Sequence, residues 1–328
     1  MKRREFITVV GGASVWSLVA RGQQSERERR IGVLINRAAD TEGQARLAAF
    51  KQALQQLGWN DGSNIRIDPR WGADDMDLSR KYAAELVALE PDILLASGAL
   101  SVAALRHVSR SLPIVSVGVT DPVGAGLVES LFRPGGNITG FMIYEYSFGG
   151  KRLELLKQIA PNVTRAAVLR DPANPTGDDE FAAIRTEAQS LRMEVTPIDG
   201  RGDVVNVERS IAEFASSPNG GLILMPNASI SIRSDLIVTL AARHNLPAVY
   251  PSRYMVSAGG LISYGPNVIE DYRRAAGYVD RIFNGERPSH LPVQAPIKYE
   301  VVINLKTAKA LELSVPASVL ARADEVIE

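Results

Sequence analysis

The fold is decided by the short apolar run RIGVLI at residues 30–35 and by the stretch that follows it. A run this short and apolar is typical of a strand buried on both faces of a sheet. In residues 41–57 the apolar side chains recur three and four positions apart, which predicts an amphipathic helix ended by Gly58. A buried strand followed by a helix is the building unit of a parallel sheet.

The same unit recurs through the first half of the chain. Further strands are predicted at residues 65–71, 93–96, 114–117 and 137–141, and further helices at residues 78–89 and 100–109. Strands that alternate with helices of this length indicate an α/β fold with a doubly wound parallel sheet.

The second half of the chain repeats the first. The run RAAVL at residues 165–169 matches the strand at residue 30, and LPAV at residues 246–249 matches LPIV at residues 112–115. Both pairs are separated by about 130 residues, which predicts two similar α/β lobes. The alternative is a chance similarity between two stretches of ordinary α/β pattern.

Composition excludes several classes of protein. The 328 residues are 45% hydrophobic and 23% charged, as in ordinary globular proteins, and this length favours two lobes. Because 37 basic residues balance 37 acidic ones, the chain lacks the excess positive charge of a nucleic-acid-binding protein. The absence of cysteine excludes disulfides, thiolate metal sites and a lipidated N-terminal Cys. Three dispersed histidines give no metal motif, so no metal or cofactor is expected.

The first 22 residues have the pattern of an export leader. MKRREFIT begins with consecutive arginines, a mildly apolar stretch follows, and Ala20-Arg21-Gly22 supplies the small residues of a cleavage site. We therefore predict a twin-arginine signal peptide at residues 1–22 and a polar linker at residues 23–30. An amphipathic N-terminal helix is the alternative.

Ligands of open α/β sheets bind beyond the carboxyl ends of the strands, so residues that directly follow strands are the candidates for a binding site. Small hydroxyl and amide side chains dominate there, and several open a helix whose free N–H groups suit a carboxylate. The alternative role for each is a helix cap. The candidates are Asn36, Ser97, Gly98, Thr120 and Asp121 in the first half and Asn174, Asn227, Ser229, Tyr250 and Ser252 in the second.

No catalytic motif emerges from the sequence. Gly124 and Gly126 follow a strand, but Glu129 stands where a dinucleotide motif needs its third glycine. The acidic residues 74–77 are interpreted as the first turn of a helix rather than a cation loop. Arg233 and Arg253 fit a ligand carboxylate and a solvated surface equally well. We therefore expect a binding protein rather than an enzyme.

Aromatic side chains cluster where the first lobe passes into the second, at Tyr144, Tyr146 and Phe148. Others follow second-lobe strands, including Tyr254 and Tyr264. Such residues suit an aromatic ligand through stacking, and packing between the lobes or within the core is the alternative.

Several segments resemble a large bacterial family of ABC transporter substrate-binding proteins. They are the leader and the runs TDPV, RPGGNITG, AGGLISYGPN and VINLKTAKAL at residues 120–123, 133–140, 258–267 and 302–311. The resemblance implies the type I periplasmic binding protein fold, with two Rossmann-like lobes joined by three crossings. It places residues 31–140 and about 267–290 in the N-terminal lobe, and residues 141–266 and about 291–328 in the C-terminal lobe. Hinges are expected in residues 139–144, 265–267 and 287–296.

The resemblance also implies a function. Such a protein captures a small organic solute by closing its lobes and delivers it to a membrane permease driven by an ATPase, in this case free in the periplasm. Some relatives are associated with tryptophan and other aromatic or branched amino acids. Asp121 then becomes the candidate for a ligand ammonium, and Ser97 and Gly98 for a carboxylate. Three alternatives remain: a chemosensory protein, the effector-sensing core of a regulator, and an enzyme that uses the cleft.

Overall fold

A computed structural model describes residues 28–143, 148–172, 176–201, 203–226, 230 and 233–328. The predicted leader and most of the predicted linker lie outside these residues.

The first lobe is built on a five-stranded parallel sheet. Its strands are β1 (Arg29–Ile35), β2 (Ile65–Trp71), β3 (Ile93–Ser97), β4 (Ile114–Val119) and β5 (Ile138–Met142), in the order β2-β1-β3-β4-β5. Helices α1 (Thr41–Gln56), α2 (Met76–Ala88) and α3 (Ala99–Val108) connect the strands. The sheet is buried between layers of helices, which explains the continuous apolar runs of β1 and β3.

The second lobe has a seven-stranded sheet. Its strands are β6 (Arg165–Arg170), β7 (Glu194–Asp199), β8 (Gly220–Leu224), β9 (Ala248–Tyr250), β10 (Ile262–Pro266), β11 (Tyr299–Asn304) and β12 (Glu325–Ile327). The helices of this half are α4 (Phe148–Ile159), α5 (Thr176–Leu191), α6 (Val204–Ala215), α7 (Ser234–Arg243), α8 (Arg253–Ser257), α9 (Val268–Phe283), α10 (Leu305–Ala310) and α11 (Ala317–Leu320). Helix α9 returns to the first lobe, where it packs beside α1 and against β4 and β5.

The order of strands carries the repeat that the sequence predicts. The strands β7-β6-β8-β9-β10 of the second sheet follow each other as β2-β1-β3-β4-β5 do in the first. The mixed α/β fold with parallel sheets in two lobes is therefore confirmed. One difference is β11, an additional strand that pairs antiparallel with β10 and has no counterpart among the described strands of the first sheet.

The chain passes between the lobes after β5, between β10 and α9, and before β11. Residues just beyond the predicted limits at 140 and 290 contact the first lobe. Met142 still pairs with β4, and Leu291 and Val293 are buried in the first-lobe core. The Gln294 N–H donates to the Gly140 carbonyl over 2.9 Å, which joins two of the crossings.

Gly140 is required at this junction by its surroundings. Its φ is +142°, and a Cβ there would stand 2.0 Å from the Ser116 carbonyl oxygen of the neighbouring strand. Any larger residue would push β5 away from β4, so Gly140, the last residue of the RPGGNITG run, has a structural role.

Among the described residues, no helix combines the length and apolar character needed to cross a membrane. The same part of the chain contains no group of three or more His, Asp or Glu side chains arranged to hold a metal ion.

Candidate functional site

A cavity of about 750 Å³ lies between the lobes, at the carboxyl ends of strands from both sheets. Parallel strands place the loops that follow them at one edge of the sheet, so both lobes present their strand-end loops to the same space. Of the ten candidate residues, the cavity is lined by Asn36, Ser97, Gly98, Thr120, Asp121 and Ser252.

The start of α3 forms one part of the first-lobe wall. Gly98 is the residue before the helix and has φ +82°. Because glycine has no side chain, it does not bond the free N–H groups of the first turn as a capping side chain would. Gly98 itself donates its N–H to the Val117 carbonyl over 2.8 Å. Ala99 and Leu100, which also line the cavity, therefore offer the backbone donors that the sequence assigned to Ser97 and Gly98.

Asn36 packs directly on Gly98. A Cβ added to Gly98 would lie 2.3 Å from the Asn36 Nδ2 atom, so only glycine leaves room for this amide. Asn36 also donates its backbone N–H to the Ser97 carbonyl over 3.2 Å and accepts from the backbone N–H of Asp74. Asn36 thus joins the start of α3 to the loop between β2 and α2.

Asp121 has a partner within its own turn. Its Oδ1 atom accepts from the Gly124 N–H at 2.8 Å, which closes a turn, whereas the alternative expected Asp121 to cap a helix. Asp121 still lines the cavity, and no described lysine or arginine forms an ion pair with it.

Three arginines line the cavity, and each is paired with a carboxylate. Arg37 Nη2 lies 2.7 Å from Asp40 Oδ2, and Arg46 Nε lies 3.0 Å from Glu42 Oε1. Arg152 forms a buried ion pair with Glu180. Because these charges are neutralised by their partners, they leave little net positive charge for a ligand.

Asp74 lines the cavity, although the sequence did not place it among the candidate site residues. The acidic first turn is present, but its cap is Asp75, whose Oδ1 accepts from the N–H groups of Asp77 and Leu78 at 2.8 and 2.9 Å. Asp74 lies before the helix with φ +57° and lines the cavity. Burial raises the pKa of Asp74 to about 6, against the opposing charges of Arg37 and Arg46.

One direct contact joins the two lobes across the cavity. The guanidinium carbon of Arg37 lies 5.2 Å from the ring centroid of Tyr254, within the range of a cation–π interaction. Asp40 holds Arg37 in place, and the Gly43 N–H and Arg37 keep the pKa of Asp40 below its ordinary value although its partial burial opposes this. The residues are more than 200 positions apart, so no sequence pattern predicts the contact.

Phe148 supplies an aromatic surface on the second-lobe side. Its ring centroid lies 5.6 Å from that of Tyr264 and 4.5 Å from that of Tyr299. Phe148 lines the cavity, and the three rings also pack the junction between the lobes. Packing between the lobes therefore accounts for Phe148, and stacking on an aromatic ligand stays a prediction.

Tyr250 departs from its predicted place. Only 1% of the residue is exposed, and it packs in the second-lobe core rather than among the described residues that line the cavity. Its ring lies beside Gly260, where an added Cβ would stand 2.6 Å from the Tyr250 Cε2 atom. Ser252, two positions further on, lies in the cavity instead.

Other candidates have structural roles or lie outside the described residues. Arg253 contacts Glu300 and Glu325, which favours the structural interpretation over ligand binding. Arg233 donates to the Gly200 carbonyl at 3.4 Å. The predicted site residues Asn174, Asn227 and Ser229 and the aromatic residues Tyr144 and Tyr146 lie outside the described residues.

Comparison with protein families gives a match over nearly the whole described chain. The model described as "ABC transporter substrate binding protein" matches residues 35–327. The chain belongs to this family.

Individual relatives agree with this assignment. The chain is 28% identical over 265 residues to a protein named "Tyrosine-binding protein" from Clostridioides difficile (strain R20291), covering 80% of this chain and 75% of the relative. Its fold is similar to that of an ABC domain from Streptococcus pneumoniae solved in complex with L-Trp, with a TM-score of 0.82 and 22% identity over 92% of this chain and 100% of that one. A conserved domain protein from Vibrio cholerae gives a TM-score of 0.81 and 23% identity, covering 92% and 100% of the two chains.

Membership of the family has a direct consequence. These are substrate-binding proteins, which bind small molecules and work with an ABC permease, and the family is not one of enzymes.

Proposed function

We propose that the chain is the extracytoplasmic substrate-binding component of an ABC importer and captures an amino acid, or an aromatic or branched carboxylate, between its lobes. The observation that carries this proposal is the interlobe cavity, whose walls come from both sheets in a chain of this family. A volume of about 750 Å³ lies in the ordinary range for small-molecule sites. Two relatives, one named a tyrosine-binding protein and one solved in complex with L-Trp, favour an amino acid over a sugar.

The chemistry of the wall supports a ligand with a carboxylate. The first turn of α3 directs backbone N–H groups and the positive end of the helix dipole towards the cavity. Phe148 and Tyr254 add apolar ring surface for an aromatic or branched side chain.

Closure follows from the two-sided site. A ligand that contacts both lobes stabilises the closed arrangement by the difference between its affinities for the closed and open states. The Arg37–Tyr254 contact adds to this preference because it forms only when the two walls approach each other. The closed, loaded protein then docks on a permease with its ATPase, free in the periplasm if residues 1–22 direct export.

Thermal unfolding of residues 23–328 against a panel of amino acids, aromatic acids and sugars tests the proposal. A ligand at one hundred times its dissociation constant adds about 2.7 kcal/mol of stability. For a protein of this size we expect a rise in midpoint of about 2 to 4 °C per kcal/mol or slightly less. Mass spectrometry of the bound ligand after incubation should show it unchanged, since a chemical change would favour the enzyme alternative.

A matched pair of variants links any rise to the cavity. Thr120→Trp places an indole in the cavity wall and should abolish the rise in midpoint without unfolding the protein. Thr239→Trp makes the same change on the exposed face of α7 and should leave the rise intact. A sugar as the sole hit would contradict the proposed ligand class. Transport of the hit that persists without this protein would favour the chemosensory alternative.

A further inference from the structure

The charges around the cavity do not balance once their fixed partners are counted. Arg37, Arg46 and Arg152 each have a carboxylate partner that lies outside the cavity lining. Asp171 also lines the cavity and is paired with an arginine, Arg201, at 3.2 Å. Two cavity carboxylates, Asp74 and Asp121, form no ion pair with any described lysine or arginine. The cavity therefore has an excess of negative charge and is complementary to a positively charged group.

Of these two carboxylates, Asp74 has the greater need of a donor. Asp121 Oδ1 accepts a hydrogen bond from the Gly124 N–H, whereas no described residue donates a hydrogen bond to the Asp74 side chain. Partial burial makes an unpaired carboxylate costly in the empty protein, and a ligand cation removes that cost. The neighbour Asp75 takes the capping role on α2, so Asp74 is not needed to begin the helix.

The backbone holds Asp74 in the left-handed conformation, and Asp74 lines the cavity. Ala73 and Asp74 have φ of +49° and +57°, in the left-handed region that few residues other than glycine adopt. Two hydrogen bonds maintain it: the Ala73 N–H donates to the Arg37 carbonyl at 3.2 Å, and the Asp74 N–H donates to the Asn36 carbonyl. Left-handed residues held by their surroundings concentrate at ligand sites.

The same bonds bring Asp74 near the start of α3. Asn36 holds the Asp74 backbone with its carbonyl and packs its side-chain amide on Gly98, the residue before the helix. One residue, Asn36, therefore contacts both the Asp74 backbone and the residue before α3, and Asp74 and the first turn of α3 both line the cavity. A carboxylate and the positive end of a helix in one cavity wall are complementary to the ammonium and carboxylate groups of an amino acid.

We propose that Asp74 binds the ammonium group of the ligand, so that the cavity selects amino acids over the corresponding deaminated acids. This inference rests on the proposed binding function and narrows its ligand class. It assigns to Asp74 the role that the sequence suggested for Asp121.

The proposal has a consequence for pH. The charged groups that act on Asp74 are Arg37 and Asp40 beside α1 and Arg46 within it, and none of the described cavity residues is a histidine. With a pKa of about 6 in the empty protein, Asp74 is protonated in about half of the molecules at pH 6, and an incoming ammonium expels that proton. Affinity should therefore rise with pH and be about tenfold weaker at pH 5 than at pH 8.

Isothermal titration calorimetry of the protein with L-tyrosine, L-tryptophan and L-leucine, and with the deaminated counterparts of these acids, tests the proposal. We expect each amino acid that binds to do so on the order of tenfold or more tighter than its deaminated counterpart. At pH 6, titrations in two buffers of different ionisation enthalpy should show release of up to about half a proton, and none at pH 8.

The Asp74→Asn variant should weaken amino-acid binding on the order of 10- to 100-fold and abolish the proton release. Asparagine tolerates the left-handed conformation, so this variant keeps the backbone intact. Asp75→Asn is the matched control, since it removes the same charge one residue away, outside the cavity lining, and retains a capping side chain. It should change neither affinity nor proton release.

Three results would overturn the inference. Unchanged affinity in Asp74→Asn, or a loss confined to Asp121→Asn, would show that Asp74 is not the ammonium site. Equal binding of deaminated acids by the unaltered protein would refute the selectivity but leave the proposed carboxylate-binding function standing. Binding of none of these compounds would refute both.

Discussion

Loss of the Glu180 carboxylate should destabilise the second lobe more than any surface substitution. Arg152 and Glu180 are each 1% exposed, and Arg152 Nε also donates to the Tyr264 carbonyl at 3.0 Å. Glu180→Leu leaves the guanidinium buried, with that carbonyl as its one partner among the described residues. Breaking a buried pair in this way costs about 3–5 kcal/mol, because the remaining charge has neither water nor a counter-ion.

The expected loss in the free energy of unfolding is large enough to measure by thermal unfolding. For a lobe of this size the loss corresponds to a fall in unfolding midpoint of about 6 to 20 °C. Far-UV circular dichroism follows both lobes, whereas tryptophan fluorescence follows only the first, because Trp59 and Trp71 both lie there and the third tryptophan is in the predicted leader. The dichroism transition should therefore move more than the fluorescence transition.

A double variant and a surface control isolate the charge effect. Arg152→Met combined with Glu180→Leu removes both charges and should be less destabilised than either single variant, because no buried ion remains. The exposed pair Arg243–Glu208, with 2.7 Å between its atoms, provides the comparison. Glu208→Ala should cost less than about 1 kcal/mol. A Glu180→Leu variant no less stable than Glu208→Ala would refute the reasoning.

Three further predictions concern the cavity. Gly98→Ala should lower the free energy of unfolding by about 1–3 kcal/mol and weaken ligand binding, because the new Cβ would stand 2.3 Å from Asn36 Nδ2 and Gly98 has a φ of +82°. Thermal unfolding and titration with the best ligand of the panel measure the two effects. Tyr254→Leu should weaken the affinity for that ligand about 2- to 30-fold, because it removes the ring that faces Arg37, whereas Tyr254→Phe should retain most of the affinity. Equal effects of the two variants would contradict a role for the ring. Tyr250→Phe should change affinity by less than about twofold, since this side chain is in the core, and a loss beyond about tenfold would return Tyr250 to the binding wall.

The sequence predicts the elements of secondary structure well for a physical reason. Strand β2 has the predicted bounds, and helix α1 begins at the predicted residue and is followed by Gly58 at φ +91°. These features depend on hydrophobic period and on residues that end helices, both of which are local. The repeat is predictable for the same reason, because each half of the chain contains its own strands and they have the same order in the two sheets.

The sequence predicts which loops form the site, but not which side chains of those loops face the cavity. Parallel topology alone requires that Asn36, Ser97 and Thr120 share one edge of a sheet, and they line the cavity. Tyr250 occupies the last residue of its strand, where the direction of one side chain decides between core and cavity, and the sequence does not fix that direction.

What the sequence by itself determined is the alternation of strands and helices, the two-lobed repeat and the loops that meet between the lobes, because each follows from local periodicity and the rules of parallel sheets. Only the tertiary structure decided which charges remain free in the cavity. Arg37 and Arg46 are paired with nearby acids, Asp121 accepts a hydrogen bond within its own turn, and Asp74 lies in the cavity wall, where its N–H donates to a carbonyl of another loop. Those outcomes depend on distances between segments far apart in the chain, which a pattern of residue types does not contain.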